Sequence, residues 1–458
     1  MSAIFTKNFG VQNALNFEKM ITFPFANTFL SIGRNTQWSG GDAAVTPTDT
    51  SNTFYDLWNN MIGMVKITAA DINLVIPRVD WVTGTNYTAY NQDIQLFSKA
   101  DANSITYDLK FYVRNNQDQV FKCLSNNSSS VSTVMPEISI DGQLPENPYI
   151  ETSDGYKWKY MYTIPAGLKE KFFTSQFMPI VSETIVTNSA VDGRLDIINI
   201  TANGAGYNAN SNSNSLSILS VSGDGSNANI TVKVASTAAN GANITGVNII
   251  NGGNNYTRAT LTLTDPNKIV NTANATLVAV IGPPGGHGSN TAQELGASNI
   301  MICAEVEDDE NGELPIAGTG STFRQIGILK DIQFSNSAYA TGSVYRGTNK
   351  YTLSQPNKNF DRNETVYVGS TLASATFKGV VESYDGAPNY YLYLNNIDGS
   401  LTVPATIIGA NSGAIATVLE VSESEIKKFS GDLLYIENTA NVTRSATETQ
   451  QIKITLRF

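Results

Sequence analysis

A mainly β protein built from several folding units is the class this sequence predicts. Three observations carry that prediction. The chain has 458 residues, too many for one ordinary core. Only 15% of residues are charged, and Asn, Ser, Thr and Gly fill the polar positions, a balance that suits strands and turns better than surface helices. Short alternating apolar runs recur between Gly, Asn and Asp turns. Hydrophobic residues at 41% and aromatics at 9% supply material for packed cores, which excludes bulk disorder.

In chain order, GRNTQWSGGDAAVTPTD at 33–49 sets Arg34 and Trp38 in a run that cannot sustain a helix. The clearest helix follows: in TFYDLWNNMIGMVKI, Phe54, Leu57, Trp58, Met61 and Ile62 form one apolar stripe at helical spacing. Thr53 is placed to cap it, with Asp56 in a capping-box-like position and Gly63 near its end. LVIPRVDW reads as a short strand broken at Pro77. Tyr107, Leu109, Phe111 and Val113 alternate up to a polar RNNQDQ turn, and VFKCL returns as the second strand of a hairpin. GYKWKYMYTIP places Tyr156, Trp158, Tyr160 and Tyr162 on a buried face and two lysines with Met161 on a half-wet one.

From about residue 190 an internal repeat appears: INITANGAGY ending at Tyr207 matches VNIINGGNNY ending at Tyr256, 49 residues later. A strand-like run follows each copy, ANITVKV from Ala228 and ATLVAVI from Ala275, so this is a small duplicated β unit, with too few copies for a solenoid. A second insertion-like stretch, about 340–422, has the strand spacing of a small barrel or sandwich. LLYIEN and QIKITLRF close the chain as alternating strands. The implied division is a core at 1–188 with a helical region near its start, an inserted duplicated repeat at 189–282, a connecting loop and return strands at 283–338, an inserted small β barrel or sandwich at 339–424, and core-completing strands at 425–458.

The net charge of −11 argues against binding a phosphate backbone, which needs clustered Lys and Arg, so nucleic acid is not an expected partner. Cys123 and Cys303 sit in apolar contexts without CxxC spacing and read as buried free thiols. The start lacks a charged segment followed by an apolar one, and no apolar run approaches the ~20 residues of a membrane span, so synthesis in the cytosol and no membrane insertion are expected. The single histidine, His287 in PGGHG, leaves no multi-histidine metal site and reads as a turn residue contacting backbone rather than a catalytic base. Glu307, Asp309, Asn311 and Gly312 imitate a calcium loop, but Gly318 stands where a bidentate Glu is required, which excludes an EF-hand. Paired carboxylates such as Asp308 and Asp309 fit a solvated turn better than acid/base work. No phosphate-loop arrangement is present. The expectation is no enzyme, no catalytic residue, no cofactor and no metal. Exposed tyrosines beside the glycines keep one alternative open: a carbohydrate-binding module whose repeats stack on sugars.

The ordered set GRNTQWS, PTD, YDLWNNMIGMVKI, VIPRVDW, DGYKWKYMYTIP, FRQIGIL, SGDLLYIEN and ITLRF resembles the baseplate wedge subunit of contractile-tailed, myovirus-type bacteriophages, the gene-eight product type. The similar segments cover roughly residues 28–82, 150–165, 321–330 and 429–458. This resemblance implies a non-enzymatic virion protein with a multi-domain β-sandwich core, few helices and two inserted small β domains. It also implies a homodimer that joins other baseplate wedge proteins. The stretches at about 190–282 and 340–422 depart from the shorter members and read as decorations in loops of the core. Arg34 and Trp38, and likewise Arg78, Asp80 and Trp81, are residue types enriched in interface cores and are the candidate protein contacts. The alternative for both groups is local: an indole packed in its own domain beside an internal Arg–Asp pair.

Overall fold

A computed structural model describes residues 4–23, 26–99, 104–139, 149–207, 215–216, 219–234, 242–263, 274–307, 314, 321–445 and 449–458. The mainly β expectation is borne out: strands and small sheets dominate the described residues and helices are few and short. The chain forms two compact units, one from residues 1–15, 74–300 and 456–458, the other from 16–73 and 301–455. A 16-residue helix, Lys7–Thr22, was not legible in the sequence, where its apolar positions make only a weak stripe.

In the first unit, the predicted hairpin pairs Tyr112–Arg114 with Gln119–Asn126, with Val113 opposite Phe121. Tyr156–Thr163 adds to the second of these strands, and Ile150–Glu151 closes the sheet. Trp158 stacks on Tyr156 at 5.3 Å and meets Tyr87 edge-on at 5.5 Å, inside a core that also holds Val113, Phe121 and Cys123. One expectation fails here. The lysine face of Tyr156–Thr163 is wet only at its start: Lys157 is partly exposed, while Lys159 is 5% exposed and Met161 fully buried. The strand is central and covered on both sides, so alternation marks side-chain direction but not exposure.

The duplicated stretch lies in the same unit, and its pairing repeats with its sequence. Leu195–Ala202 pairs with Thr276–Ile281, and Ile244–Asn254 pairs with Ser226–Val234. Ile200 opposite Leu277 corresponds to Ile249 opposite Ile230, and Ile198 opposite Ala279 to Val247 opposite Val232. Between them Leu219–Gly223 pairs antiparallel with Ala259–Leu263. The turns match as well: Gly204 and Gly253 lie at φ +61° and +69°, and Gly206 and Asn255 at +81° and +59°. A Cβ at Gly253 would come within 2.4 Å of the Ser226 carbonyl, so that turn requires glycine.

In the second unit a five-stranded sheet runs in the order Val344–Arg346, Met61–Lys66, Thr28–Gly33, Thr322–Lys330, Asp432–Thr443. The predicted helix is corrected by this sheet. It spans only Ser51–Asn59, capped by Thr50, whose hydroxyl accepts from the Thr53 N–H, and it ends where the Asn60 N–H bonds back to Asp56. Met61–Lys66 leaves as a strand between two neighbours. The apolar stripe read through Met61 and Ile62 is real burial, but ladder bonds on both edges outweigh helical periodicity. Gly63 is therefore no helix terminator; a Cβ there would collide with the Leu314 side chain and lie 2.9 Å from the Tyr345 carbonyl. Residues 349–422 close into a six-stranded antiparallel barrel whose interior is packed by Tyr351, Val366, Phe377, Leu392, Ile407 and Val418. Both cysteines are buried thiols outside any disulfide.

Candidate interaction surfaces and a buried ionic cluster

The loop after Thr28–Gly33 is held down along its length. Arg34 sits at φ +57°, its N–H bonded to the Asn60 carbonyl at 2.8 Å. Its guanidinium lies 4.1 Å from the Trp38 ring centroid and 3.5 Å from Asp56. Trp38 is 7% exposed and donates from Nε1 to the Thr439 carbonyl at 3.0 Å. Between them the buried Asn35 amide donates to Asn363 Oδ1 at 2.9 Å and the Val381 carbonyl at 3.0 Å, and its Oδ1 accepts from Asn395 at 3.1 Å. Arg324 donates to the Asn35 carbonyl at 2.7 Å. These buried amide contacts join the barrel to the sheet, with the Asn395 Nδ2 donating to both Asn35 and the Asn60 carbonyl. The structure thus uses Arg34 and Trp38 inside their own unit.

Arg78, Asp80 and Trp81 form part of a partly exposed charge ladder in the first unit. Asp80 accepts from Arg78 at 2.6 Å and Arg114 at 2.7 Å; Arg114 reaches Asp118 at 2.5 Å, which meets Lys169 at 2.7 Å. Arg78 and Arg114 both lie over the Phe173 ring, at 4.5 and 4.7 Å. Burial alone would raise the Asp80 carboxyl, but hydrogen bonds and charge from Arg78 and Arg114 hold it below its ordinary value. Trp81 is half-buried and donates to Ser132 Oγ at 3.0 Å.

His287 does not merely contact backbone, as its turn context suggested. Its buried ring sits 3.2 Å through Nδ1 from the Lys122 ammonium and 3.4 Å from Glu294, while Lys122 meets Glu294 at 2.8 Å. Glu294 also accepts the Gly288 N–H at 2.6 Å, and the Tyr90 ring covers Lys122 at 4.3 Å and His287 at 4.6 Å. Burial, then the Lys122 charge, lowers His287 to about 4, so the ring is neutral and accepts from lysine. Burial would raise Glu294, but the charge and hydrogen bond of Lys122 outweigh it and keep the carboxylate ionised. Nearby, burial raises Asp196 to about 6 against the opposing charges of Arg194 and Lys159. A 240 Å³ cavity lined by Tyr90, Gln92, Phe97, Pro283, Asn290 and others opens beside this cluster. Lys122, Glu294 and His287 engage one another directly, so the cluster clamps strand Gln119–Asn126 to the 287–294 segment. The clue in the sequence was Lys122 at an inward position of VFKCL; nothing in it pointed to Glu294 or His287 as partners.

Tyr207 and Tyr256, read as exposed platforms for sugar stacking, are 2% and 4% exposed and belong to one hydrophobic cluster. Tyr207 accepts the Ala275 N–H at 2.7 Å through its hydroxyl. Of the acidic turn, Asp308, Asp309, Asn311, Gly312 and Gly318 lie outside the described residues; the Glu307 carbonyl accepts from Arg444 at 2.8 Å. Among the described residues no group of three or more His, Cys, Asp or Glu is placed to hold a metal, and no helix is long and apolar enough to cross a membrane.

One further surface stands out in the second unit. A groove of about 620 Å³ is walled by Pro47–Ser51, Thr53–Tyr55 and the four consecutive residues Leu433–Ile436. Tyr55, Phe429 and Leu434 are 48%, 46% and 39% exposed, and Tyr55 meets Phe429 edge-on at 5.3 Å.

Two comparisons bear on these surfaces. The family described as Bacteriophage T4, Gp8 matches residues 3–140. The baseplate wedge protein gp8 of Enterobacteria phage T4 is 27% identical over 204 residues, an alignment that covers 39% of this chain and 60% of that protein. The chain thus spans 60% of the length of the curated relative it matches. The resemblance carried by the ordered motifs is borne out by both findings: the chain is similar to the gp8-type baseplate wedge proteins, a likeness anchored in residues 3–140.

Proposed function

We propose that this protein is a non-enzymatic structural component of a bacteriophage tail baseplate wedge. It is made in the host cytoplasm, resides in the virion, and docks as a homodimer against other wedge proteins. The observation that carries this reading is the likeness to a baseplate wedge protein. It is supported by the engaged state of the buried cluster of Lys122, Glu294 and His287. Wedge interfaces work by buried area, and obligate assemblies commonly bury more than ~2,000 Å². The half-exposed ladder of Arg78, Asp80 and Arg114, with Trp81 and the exposed Val82 beside it, is one such contact. Arg34 and Trp38 serve that function indirectly, by stiffening the loop and barrel that present the outer surface. The repeat at 189–282 and the barrel region at 339–424 are additions that widen the contact area. Glycan recognition by the repeats loses its main support with the burial of Tyr207 and Tyr256.

A phage carrying a nonsense codon in this gene tests the proposal. Electron microscopy of the lysate should show no complete baseplates, and native mass of the purified chain should show a dimer. Intact tails without this polypeptide would overturn the structural role, and a monomer at micromolar concentration would overturn the dimer.

A further inference from the structure

We propose that the free edge of strand Asp432–Thr443 receives an extended, cationic segment of a partner protein, which adds a strand to the five-stranded sheet. The strand is last in its sheet and pairs only with Thr322–Lys330. Successive side chains of a strand point to opposite faces, so a groove lined by four consecutive residues, Leu433 to Ile436, runs along the strand's edge and not over one face. That edge carries backbone N–H and C=O groups, and among the described residues those of Leu433–Glu437 bond to no chain segment other than the neighbouring strand. Further along, the edge is already occupied: Trp38 donates to the Thr439 carbonyl and Gln450 to the Thr443 carbonyl. The open stretch is thus delimited, and at ~3.3 Å per residue it accommodates about four to five residues of an added strand.

The chemistry of the groove selects the occupant. Unpaired ladder groups are matched by an extended backbone, and a helix offers none. Exposed Tyr55, Phe429 and Leu434 call for apolar side chains at alternate positions. The charged residue that lines the groove is Asp49, and exposed Asp432 and Glu437 flank the open stretch, while no Lys or Arg lines it. A second copy of this edge would bring those carboxylates against their own kind in a chain of net charge −11, so a segment bearing Lys or Arg is favoured. The register shift at Leu434 is a bulge of the kind that guards edges against indiscriminate pairing, and it turns that side chain toward the groove.

This inference rests on the wedge reading for the source of the segment, yet its test is made on the purified full-length chain. The probe is a synthetic peptide of about six residues alternating Val and Lys. Hydrogen-exchange mass spectrometry should show amides of residues 432–437 slowed about five-fold or more at saturation. The same peptide N-methylated at alternate amides, and a Val–Glu version, should give no protection. Leu434→Lys, an exposed change that leaves the core intact, should weaken the Val–Lys peptide about ten-fold. The proposal is overturned if the Val–Lys peptide protects nothing in 432–437 or if the N-methylated peptide protects equally. It also falls if the free chain shows concentration-dependent protection there, which would make the occupant a second copy. Failure on any of these counts leaves the tail-assembly experiment untouched, because that experiment scores baseplates and not this edge.

Discussion

At the scale of single residues, the Lys122, Glu294 and His287 cluster is where the sequence under-reported the protein. A lone histidine between glycines looked like a plain turn residue, yet its ring is buried against a lysine of strand Gln119–Asn126. Its value falls from 6.5 to about 4, so unfolding below about pH 6.5 takes up a proton that the folded ring refuses. The stability it contributes is full above pH 6.5 and declines as pH falls toward 4. Asp196 acts the other way. Raised from 3.8 to about 6, its contribution is full below 3.8 and is lost as pH rises through 6. The two oppose each other in the same window, so a single profile will not separate them. Relative to the parent chain, His287→Asn should raise the melting temperature at about pH 4.5 when each is referred to its own value at about pH 7. Equal differences between about pH 7 and about pH 4.5 in the two chains would mean the ring is not buried neutral. Lys122→Met should cost about 3–5 kcal/mol in urea unfolding, because it strands the Glu294 carboxylate without its cation.

Among elements, local patterns were readable and their neighbours were not. The hairpin at 112–126, the strand at 156–163 and the repeat all follow from alternation and turn chemistry in short windows. The helix at 51–59 was read too long, because an apolar stripe through Met61 and Ile62 satisfies a buried central strand as well as a helix. Tyr207 and Tyr256 were legible as special positions but not as buried ones. Their burial depends on strands 20 to 70 residues away in sequence, such as the segment whose Ala275 N–H meets the Tyr207 hydroxyl. Of the candidate contacts, the local pairing of Arg78 with Asp80 was foreseeable from adjacency, whereas the Asn35 link to Asn363 and Asn395 was not. Since Tyr256 packs in the repeat's core, Tyr256→Ala should lower stability by about 3–5 kcal/mol in urea unfolding. A change below 1 kcal/mol would show that the tyrosine is not part of a packed core.

For the molecule as a whole, the balance of 29 basic and 40 acidic residues disfavours binding to polyanions. A mobility-shift assay with a short DNA duplex at about 0.15 M salt should show no complex, and retention at that ionic strength would contradict the charge argument. The crossed pairing inside the repeat has a consequence of its own. The opening strand of each copy finds its mate in the closing strand of the other, so neither half is self-sufficient. A polypeptide carrying one copy would have to borrow the missing mate from a sister molecule, which makes an intertwined pair of short chains the simplest forerunner from which gene fusion could have drawn this stretch.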